Sequence, residues 1–367
     1  MNTLAKIALA KIKGIGPKLG RNLLSYCGSP EAIFGSSKKQ LLKIPGIGLS
    51  AAEAILSKSY LQEAEAELHF IQQQNIQLVW MEDANYPRRL RHCEDAPILL
   101  FFKGNASLNP DRAVSIIGSR NASSYGRKIC ENLLADLKEI NVQVISGLAF
   151  GIDIQAHREA LKQELPTVAV LGHGLDRIYP YAHHDTAQKI IDHGGLLSEF
   201  TAGCKPERQN FPMRNRIIAG LSDVVVVVEA ARKGGALITA EIANSYNRDV
   251  CAFPGAIDHP YSAGCNYLIK TNQAQLIRNA KDLCELMNWD FENTTTTRLP
   301  QLQLLLDTLS VEEQKIVSYL RTSGEGNIDD IAIHCQWTQS KLAITLLEME
   351  LKGILSVKPG KVFKLAT

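Results

Sequence analysis

The sequence has no long apolar run, no closely spaced cysteines and almost no excess of charge. Its longest apolar stretches, such as AVSII and VVVVV, are far shorter than the roughly 20 residues that a membrane-spanning helix needs. The two closest of the eight cysteines, Cys251 and Cys265, lie fourteen residues apart, which excludes a CxxC metal or redox pair. Scattered cysteines are typical of a reducing compartment, so we expect a cytoplasmic protein without membrane contacts.

The balance of charge excludes a protein that is basic over its whole surface. Lys plus Arg is 40 and Asp plus Glu is 38, a net charge of +2, so any nucleic-acid surface must be local. A hydrophobic content of 45% excludes disorder of the whole chain. The N-terminal stretch carries lysines among its apolar residues, which argues against a signal peptide. Neither a Walker A nor an HExxH motif is present, and we expect no metal and no cofactor.

What the sequence does have is a basic N-terminal segment with an internal repeat. Residues 1–60 contain nine Lys or Arg and two Glu, a local charge of +7. KIKGIGPKLGRNLL at 11–24 and LLKIPGIGLSAAEAIL at 41–56 each read as helix, GIG turn and helix, the helix-hairpin-helix pattern. Such glycines let backbone amides approach a phosphate, but they also make tight corners that contact only protein. The second copy matches GxGxxA as well, yet no strand precedes it, which argues against a dinucleotide site.

The middle of the chain predicts a doubly wound, Rossmann-like α/β domain. Continuous Val and Ile runs alternate with helical segments, as in a parallel sheet that helices cover on both faces. The predicted strands are 113–119, 142–147, 167–172, 195–200, 223–230, 249–255 and, more weakly, 272–277. The predicted helices between them are 123–140, 153–163, 183–193, 213–221, 235–247 and 264–271. Residues 61–110 read as a connector that joins this domain: AEAELHFIQQQ predicts a helix, IQLVWM predicts a strand, and NYPRRL and DAPILLFFKGN predict an extended, proline-punctuated stretch.

The predicted domains are 1–65, a helical helix-hairpin-helix domain of the SAM-like kind, 66–288, the α/β domain, and 308–367, a winged helix. Between the last two, 289–307 reads as a linker, because a threonine tract and a proline across 293–300 have little to bury. The third helix of the winged helix carries only Lys341 and Lys352 as basic residues. We therefore predict little sequence-specific duplex binding by this domain, and a role in protein contacts instead.

Glycines and arginines follow the predicted strands at the edge where open α/β sheets bind ligands. Glycine turns and helix starts there suit anions, and an arginine can fork around a phosphate. We predict a phosphate-binding core made by Gly118, Ser119, Arg120, Gly147, Arg214 and Arg216, and we count Asn215 among the DNA-binding residues. Each arginine could instead form a structural ion pair, for instance with Asp153 or Glu199.

One aromatic residue, Phe211, and one acidic residue, Glu229, each allow two interpretations. Phe211 could stack a nucleobase, or it could face the core, locked by Pro212. Glu229 ends a strand near a glycine-rich turn, so a nucleotide phosphoribohydrolase-like enzyme that uses Glu229 is the alternative function. Because no nucleophile–base pair is evident, we expect no catalytic residue. His183 and His184 read as a solvated or capping pair rather than as metal ligands.

A succession of strings resembles the DNA-processing protein A family, also called DprA or Smf. The strings are YPRRL at 86–90, DAPILLFFKGN at 95–105, IIGSR at 116–120, SGLAFGID at 146–153, GHGLDRIYP at 172–180, LLSEF at 196–200, FPMRNRIIAGLSDVVVVVEA at 211–230, ALITA at 236–240 and PGAIDHPYSAGCNYLI at 254–269. The chain departs from the family at Gly234–Gly235–Ala236, where members usually read SGS, and in the Tyr181–Asp185 segment, where they often have an asparagine.

The resemblance implies a function that the residues alone do not give. Members of the family bind single-stranded DNA, protect incoming DNA and load the RecA recombinase during natural transformation of competent cells. They form homodimers through the α/β domain and are not known as enzymes. The partners implied for this chain are therefore single-stranded DNA, RecA recombinase and a second copy of the chain.

Overall fold

The structure is a computed structural model that describes residues 3–289, 309–358 and 360–365. The predicted linker 289–307 lies outside the described residues, except for Trp289. The predicted flexible join at 293–300 also lies outside them. Trp289 itself is buried in the core of the α/β domain. No helix in the described part of the chain is long and apolar enough to cross a membrane.

The N-terminal part is a bundle of six helices that contains both predicted hairpins. The helices are α1 Thr3–Lys11, α2 Pro17–Cys27, α3 Pro30–Gly35, α4 Lys38–Leu41, α5 Leu49–Leu56 and α6 Leu61–Gln73. Each GIG turn opens on a glycine with positive φ, +83° at both Gly14 and Gly46, a conformation that favours glycine. Pro17 then starts α2, where its missing amide hydrogen costs no helical hydrogen bond.

The α/β domain is built on one nine-stranded sheet. Its strands are β1 Gln77–Trp80, β2 Leu99–Gly104, β3 Ala113–Ile117, β4 Gln143–Ser146, β5 Thr167–Leu171, β6 Gly194–Ser198, β7 Val224–Val227, β8 Asp249–Ala252 and β9 Gln275–Leu276. The spatial order is β1-β2-β6-β5-β4-β3-β7-β8-β9. From β6 to β9 all neighbouring pairs are parallel, whereas β2 pairs antiparallel with both β1 and β6. All seven predicted strands are confirmed.

Helices cover both faces of this sheet, as a doubly wound fold requires. They are α7 Arg88–Arg91, α8 Ser124–Leu137, α9 Ile152–Lys162, α10 His184–Asp192, α11 Asn210–Leu221, α12 Gly235–Ser245, α13 Ala263–Lys270 and α14 Ala280–Met287. One core packs α8, α9 and α14 on one face, and a second packs α7, α11, α12 and α13 on the other. The Rossmann-like fold class and the six predicted helices are confirmed.

Residues 61–110 are more than a connector, because they supply two strands of the sheet. Trp80, Leu99 and Phe101 from β1 and β2 lie in the same buried cluster as the core residues of the helical bundle. Helix α6 runs continuously through residue 65, where the sequence placed the first domain boundary. The bundle and the antiparallel edge of the sheet thus share one core.

The C-terminal domain contains the three helices and the hairpin that the sequence predicts. The helices are α15 Val311–Ser323, α16 Ile328–Cys335 and α17 Gln339–Leu351, and the strands are β10 Gly326–Asn327, β11 Leu355–Lys358 and β12 Val362–Leu365. Glu325 bridges this domain to α7, with carboxylate oxygens 2.9 Å from Arg88 and 2.8 Å from Lys358. That these helices and strands form a winged-helix domain stays a prediction.

Candidate nucleic-acid interface

The loops after β3 and β4 form one continuous surface at the carboxyl edge of the sheet. The backbone amide of Ile152 donates to the carbonyl of Ser119 at 3.0 Å, which ties the two loops together. Gly151, with φ +81°, leaves no room for a side chain against Ser119 and Arg120. Gly118 is equally confined, between Ile152 and the carbonyl of Glu229. The predicted residues Gly118, Ser119, Arg120 and Gly147 are therefore brought together.

Arg120 is the exposed cation of the predicted phosphate-binding core. Its guanidinium lies 5.6 Å from the centre of the Phe211 ring. In the described part of the chain, no carboxylate lies within ion-pair distance of it. An exposed arginine that is held by an aromatic face and has no acidic partner can contribute its charge to an anion.

Arg214 is buried directly beneath Gly147. Its guanidinium occupies the space that a Cβ at Gly147 would need, and lies 4.0 Å from Asp153. Its Nε and Nη1 have no hydrogen-bond partner among the described residues. Burial lowers the pKa of Arg214 and raises that of Asp153, and each charge offsets part of the shift of the other. The positive charge therefore lies under the surface, in contact with Gly147, which is also buried.

Arg216 is buried as well, and carboxylates surround it. It pairs with Glu199 and donates from Nη1 to the carbonyl of Asp95 at 2.6 Å. Burial raises the pKa of Glu199, and the charge of Arg216 opposes that shift. The structural ion pairs left open by the sequence are thus present for Arg214 and Arg216, while the neighbouring Asn215 is half-buried, with its amide 3.4 Å from the carbonyl of Gly235.

The side chain of Phe211 is half-buried. One edge of its ring packs on the backbone of Gly172, at the end of β5. The ring of Tyr179 lies 6.2 Å away, and Arg120 lies over the ring. The side chain thus forms part of the surface beside the exposed arginine.

Glu229 supports the start of helix α8. Its carboxylate accepts a hydrogen bond from the backbone amide of Ser123 at 2.9 Å and another from the Ser123 hydroxyl. It fills the space beside Gly126 so closely that no Cβ could fit there. The carboxylate is almost completely buried and does not face a cleft. It holds Ser123, the N-cap residue, whose hydroxyl accepts a hydrogen bond from the backbone amide of Gly126 at 3.1 Å.

Several exposed residues at this edge are not predicted by the sequence. Phe150, Tyr179 and Tyr181 expose half or more of their surface. Further exposed cations in the loops or on the helices of this edge are Arg158, Lys205, Arg208, Arg232 and Lys233. The available clue was their position just beyond strand ends, but sequence alone does not say which loop side chains reach solvent.

A group of buried histidines lies below the same loops. His183 is buried, and its Nδ1 lies 2.8 Å from the carbonyl of Leu148, so the prediction of a solvated or capping residue was wrong for His183. Burial lowers the pKa of His183 and of His173, and that of His157 to about 3. The lowered pKa values favour neutral imidazoles. His173 and His183 contact backbone carbonyls of the loops, whereas His157 contacts the hydroxyl of Thr167 in β5.

Four of the nine basic side chains in residues 1–60 form ion pairs. Lys6 pairs with Asp83, Lys11 with Glu67, Lys18 with Glu94 and Lys38 with Glu53. Three of these four acids lie beyond residue 60. Helices α2 and α5 begin without a side-chain cap, and open space surrounds Gly16 and Gly48. DNA contact by the two hairpins remains an open prediction.

The third helix of the C-terminal domain is not basic on its surface. Lys341 pairs with Glu312 and lies over the ring of Trp337, and Lys352 lies 2.7 Å from Glu313. Ile344, Leu347 and Leu351 are exposed along the same helix. Both basic side chains are engaged within the domain. That the domain binds duplex DNA with little sequence specificity stays a prediction.

Comparisons with known proteins place these features in a family. A family model described as DNA recombination-mediator protein A matches residues 77–288, and a SAM-like helix-hairpin-helix tandem matches residues 6–58. The chain is 36% identical over 281 residues to Protein Smf of Synechocystis sp., with 76% of this chain and 70% of that protein covered.

Two solved structures are similar to this one. DNA processing protein A of Streptococcus pneumoniae matches with a TM-score of 0.69 and 35% identity, over 77% of this chain and 98% of that chain. DNA processing protein A of Helicobacter pylori, described for its single-stranded DNA binding mode, matches with a TM-score of 0.54 and 30% identity, over 60% of this chain and 99% of that chain. Together with the match of the family model to more than half of the sequence, these likenesses show that the chain belongs to the DNA recombination-mediator protein A family, also called DprA or Smf.

Proposed function

We propose that this protein binds single-stranded DNA along the carboxyl edge of its sheet and hands it to a RecA-type recombinase. The observation that carries the proposal is Arg120, an exposed arginine without an acidic partner in the described part of the chain, set among glycine loops and beside the half-buried ring of Phe211. Phosphates need cations and close backbone approach, and unpaired bases need aromatic faces. A relative described for single-stranded DNA binding supports the same assignment.

The three arginines receive different roles in this proposal. Arg120 contacts phosphate directly. Arg214 contributes a fixed positive potential from beneath Gly147, because its guanidinium is buried and incompletely hydrogen-bonded. Arg216 holds the fold through Glu199 and Asp95. Gly118, Ser119, Gly147 and Asn215 supply the backbone and polar surface around the phosphate.

The test is Arg120→Glu, measured by fluorescence anisotropy with a single-stranded oligonucleotide at several salt concentrations. We expect severe loss of affinity and a flatter dependence of log affinity on log salt, by about 0.7 for each phosphate that the variant no longer neutralises. Thermal stability should change little, because an exposed side chain without an ion pair is replaced.

Arg216→Ala is the matched control on the buried side of the same site. Removing it leaves Glu199 buried and unpaired, which should cost about 3–5 kcal/mol of unfolding free energy. A well-folded Arg120→Glu protein that binds single strands like the parent would remove Arg120 from the site.

The same proposal includes a homodimer and a recombinase partner. The family resemblance supports both, and natural transformation is the process in which we place them. Sedimentation at micromolar concentration should give a dimer, and a stable monomer would contradict the homodimer.

RecA filaments should assemble faster on single strands that another single-strand-binding protein already covers when this chain is added. An unchanged rate of filament assembly would contradict the transfer of the strand to RecA.

A further inference from the structure

Three aromatic side chains project from the carboxyl edge of the sheet into solvent. Phe150, in the loop before α9, is 50% exposed, and Tyr179 and Tyr181, before α10, are 50% and 79% exposed. Holding this much apolar surface in water is unfavourable unless a ligand covers it. All three lie outside the phosphate-binding core that the sequence predicts.

Each exposed ring rests on a second ring. Phe150 meets His183 with ring centres 4.8 Å apart, Tyr179 meets Phe211 at 6.2 Å, and Tyr181 meets His184 at 5.5 Å. Four of these six rings belong to the short segment from Tyr179 to His184. The other two are Phe150, in the loop that begins at Gly147, and Phe211, in the first turn of helix α11. The three ring pairs therefore lie around one short segment of the chain. We call them together the aromatic ledge, with Phe150, Tyr179 and Tyr181 as its exposed members.

The ledge is held in place from below. Pro180 is buried between the two exposed tyrosines, so the backbone is anchored where both rings leave it. The hydrogen bond between His183 and the carbonyl of Leu148 joins this segment to the loop of Phe150. Rings fixed in this way lose little conformational entropy when a ligand covers them.

Cations border the ledge on the side of the phosphate-binding core. Arg120 lies over Phe211, which is the ring behind Tyr179. Arg158 is exposed on α9, the helix that follows the loop of Phe150. At the other end, Asp185 lies 3.5 Å from His184 and is exposed, which disfavours a phosphate beyond Tyr181. A strand that places its phosphates near Arg120 would thus turn its bases toward the rings.

We propose that Phe150, Tyr179 and Tyr181 stack the bases of a bound single strand, and that this ledge is what makes the site prefer single-stranded to duplex DNA. The inference rests on the proposed function and deepens it. Phosphates are present in both forms of DNA, so the arginine alone does not discriminate strongly between them. In a duplex the base faces are already stacked on one another, and only unpaired bases can leave their neighbours to cover aromatic side chains.

The experiment compares three probes of equal length: oligo(dT), an abasic single-stranded backbone and a duplex. For the parent we expect tighter binding of oligo(dT) than of either other probe. Tyr179→Ala should weaken oligo(dT) binding about tenfold, in line with the usual contribution of one stacked base. The variant with Ala at all three ledge positions should bind oligo(dT) no better than the abasic probe. Its salt dependence and its affinity for the duplex should stay those of the parent.

Matched variants separate stacking from folding and from general aromatic exposure. Tyr179→Phe and Tyr181→Phe keep the rings and should keep parent affinity. Tyr26→Ala removes an exposed tyrosine from the N-terminal bundle and should change nothing. If Phe150→Ala lowers thermal stability, Phe150→Leu replaces it.

Two results would overturn the inference while leaving the proposed function intact. One is a parent that binds oligo(dT) and the abasic probe equally well. The other is a triple variant that keeps the parent's preference for oligo(dT). A parent that binds no single strand at all would refute the proposed function, and the ledge with it.

Discussion

His157 lies wholly inside the α/β domain, with its Nδ1 2.7 Å from the hydroxyl of Thr167 and its Nε2 without a hydrogen-bond partner among the described residues. Burial, with smaller contributions from the charges of Arg214 and His183, lowers its pKa to about 3. The folded protein therefore keeps this imidazole neutral in mild acid. The unfolded chain binds the proton near the ordinary value of about 6.5.

This difference predicts acid sensitivity with a defined sign. Below about pH 6.5 the unfolded state gains a proton that the folded state does not, so the free energy of unfolding falls. For His157 alone the loss is about 1.4 kcal/mol per pH unit, or about 2 kcal/mol at pH 5. Urea unfolding near pH 7.5 and near pH 5 should show this loss in the parent and a smaller one in His157→Gln.

Comparison with the variant removes the contributions of other groups. The raised pKa values of Asp153 and Glu199 act in the opposite direction, since the folded state then binds protons more tightly, but they are common to both proteins. An equal loss of stability in parent and variant would contradict the assignment to His157.

At the scale of single residues, the sequence predicted proximity better than exposure. Gly118, Arg120 and Gly147 meet as expected, because parallel strands end at the same edge of a sheet. The sequence could not rank the arginines, since helix α11 is buried on more than one side and hides both Arg214 and Arg216. The spacing of apolar residues along α11 does not distinguish Arg214 and Arg216 from an exposed arginine. Only the packed structure shows which guanidinium reaches solvent.

Helix α8 depends on a residue more than one hundred positions away. Glu229, at the end of β7, accepts hydrogen bonds from Ser123 at the first turn of the helix. A carboxylate in this position satisfies an amide and complements the positive end of the helix dipole. The contact ties the helix to the sheet at the point where the phosphate-binding loop leaves β3.

Glu229→Ala should therefore lower the free energy of unfolding by about 1–3 kcal/mol, because a buried donor loses its partner. Glu131→Ala, on the exposed face of the same helix, is the control and should change stability by less than about 0.5 kcal/mol. Turnover of nucleoside monophosphates, measured alongside, should be absent in the parent. Turnover by the parent that Glu229→Ala abolishes would instead favour the hydrolase alternative.

Among the elements, the Val- and Ile-rich strands and β1 were predictable from local patterns, whereas β2 and the pairing at the edge of the sheet were not. Runs such as VVVVV at 224–228 can only be buried, and the alternation of strands and helices then fixes a parallel sheet. The pattern IQLVWM at 76–81 predicts a strand, which β1 confirms, whereas β2 lies in a proline-punctuated stretch that reads only as extended. Their place depends on antiparallel pairing of β2 with β6, more than ninety residues later, and local patterns carry no information on such partners.

For the whole molecule, the shared core determines which fragments can fold. Trp80, Leu99 and Phe101 are buried against the helical bundle, and Gly20 of α2 packs on Ile98. The ion pairs of Lys6 and Lys11 with Asp83 and Glu67 cross the same region. Cutting the chain at residue 61 would expose this apolar surface to water.

We therefore predict that a fragment of residues 61–288 melts at a clearly lower temperature than the full chain, or aggregates, whereas residues 1–289 retain the stability of the sheet. Circular dichroism melting and gel filtration measure both effects. Removal of the C-terminal domain serves as the control, because Glu325 and Asn327 join it to α7 through few polar contacts. A fragment 61–288 that melts within a few degrees of the full chain would show that the bundle is dispensable.

The same shared core affects the order in which the chain can fold as it is synthesised. The helical bundle is made first, but its buried surface is complete only when β1 and β2, up to Gly104, have left the ribosome. Strand β2 then pairs with β1 on one side and has an open edge on the other until β6, at Gly194–Ser198, is available. For about ninety residues of synthesis, which at typical elongation rates lasts several seconds or more, the nascent chain presents an apolar hairpin with one unpaired edge. Chaperone dependence of this protein should therefore be concentrated in that interval, and not at the end of translation.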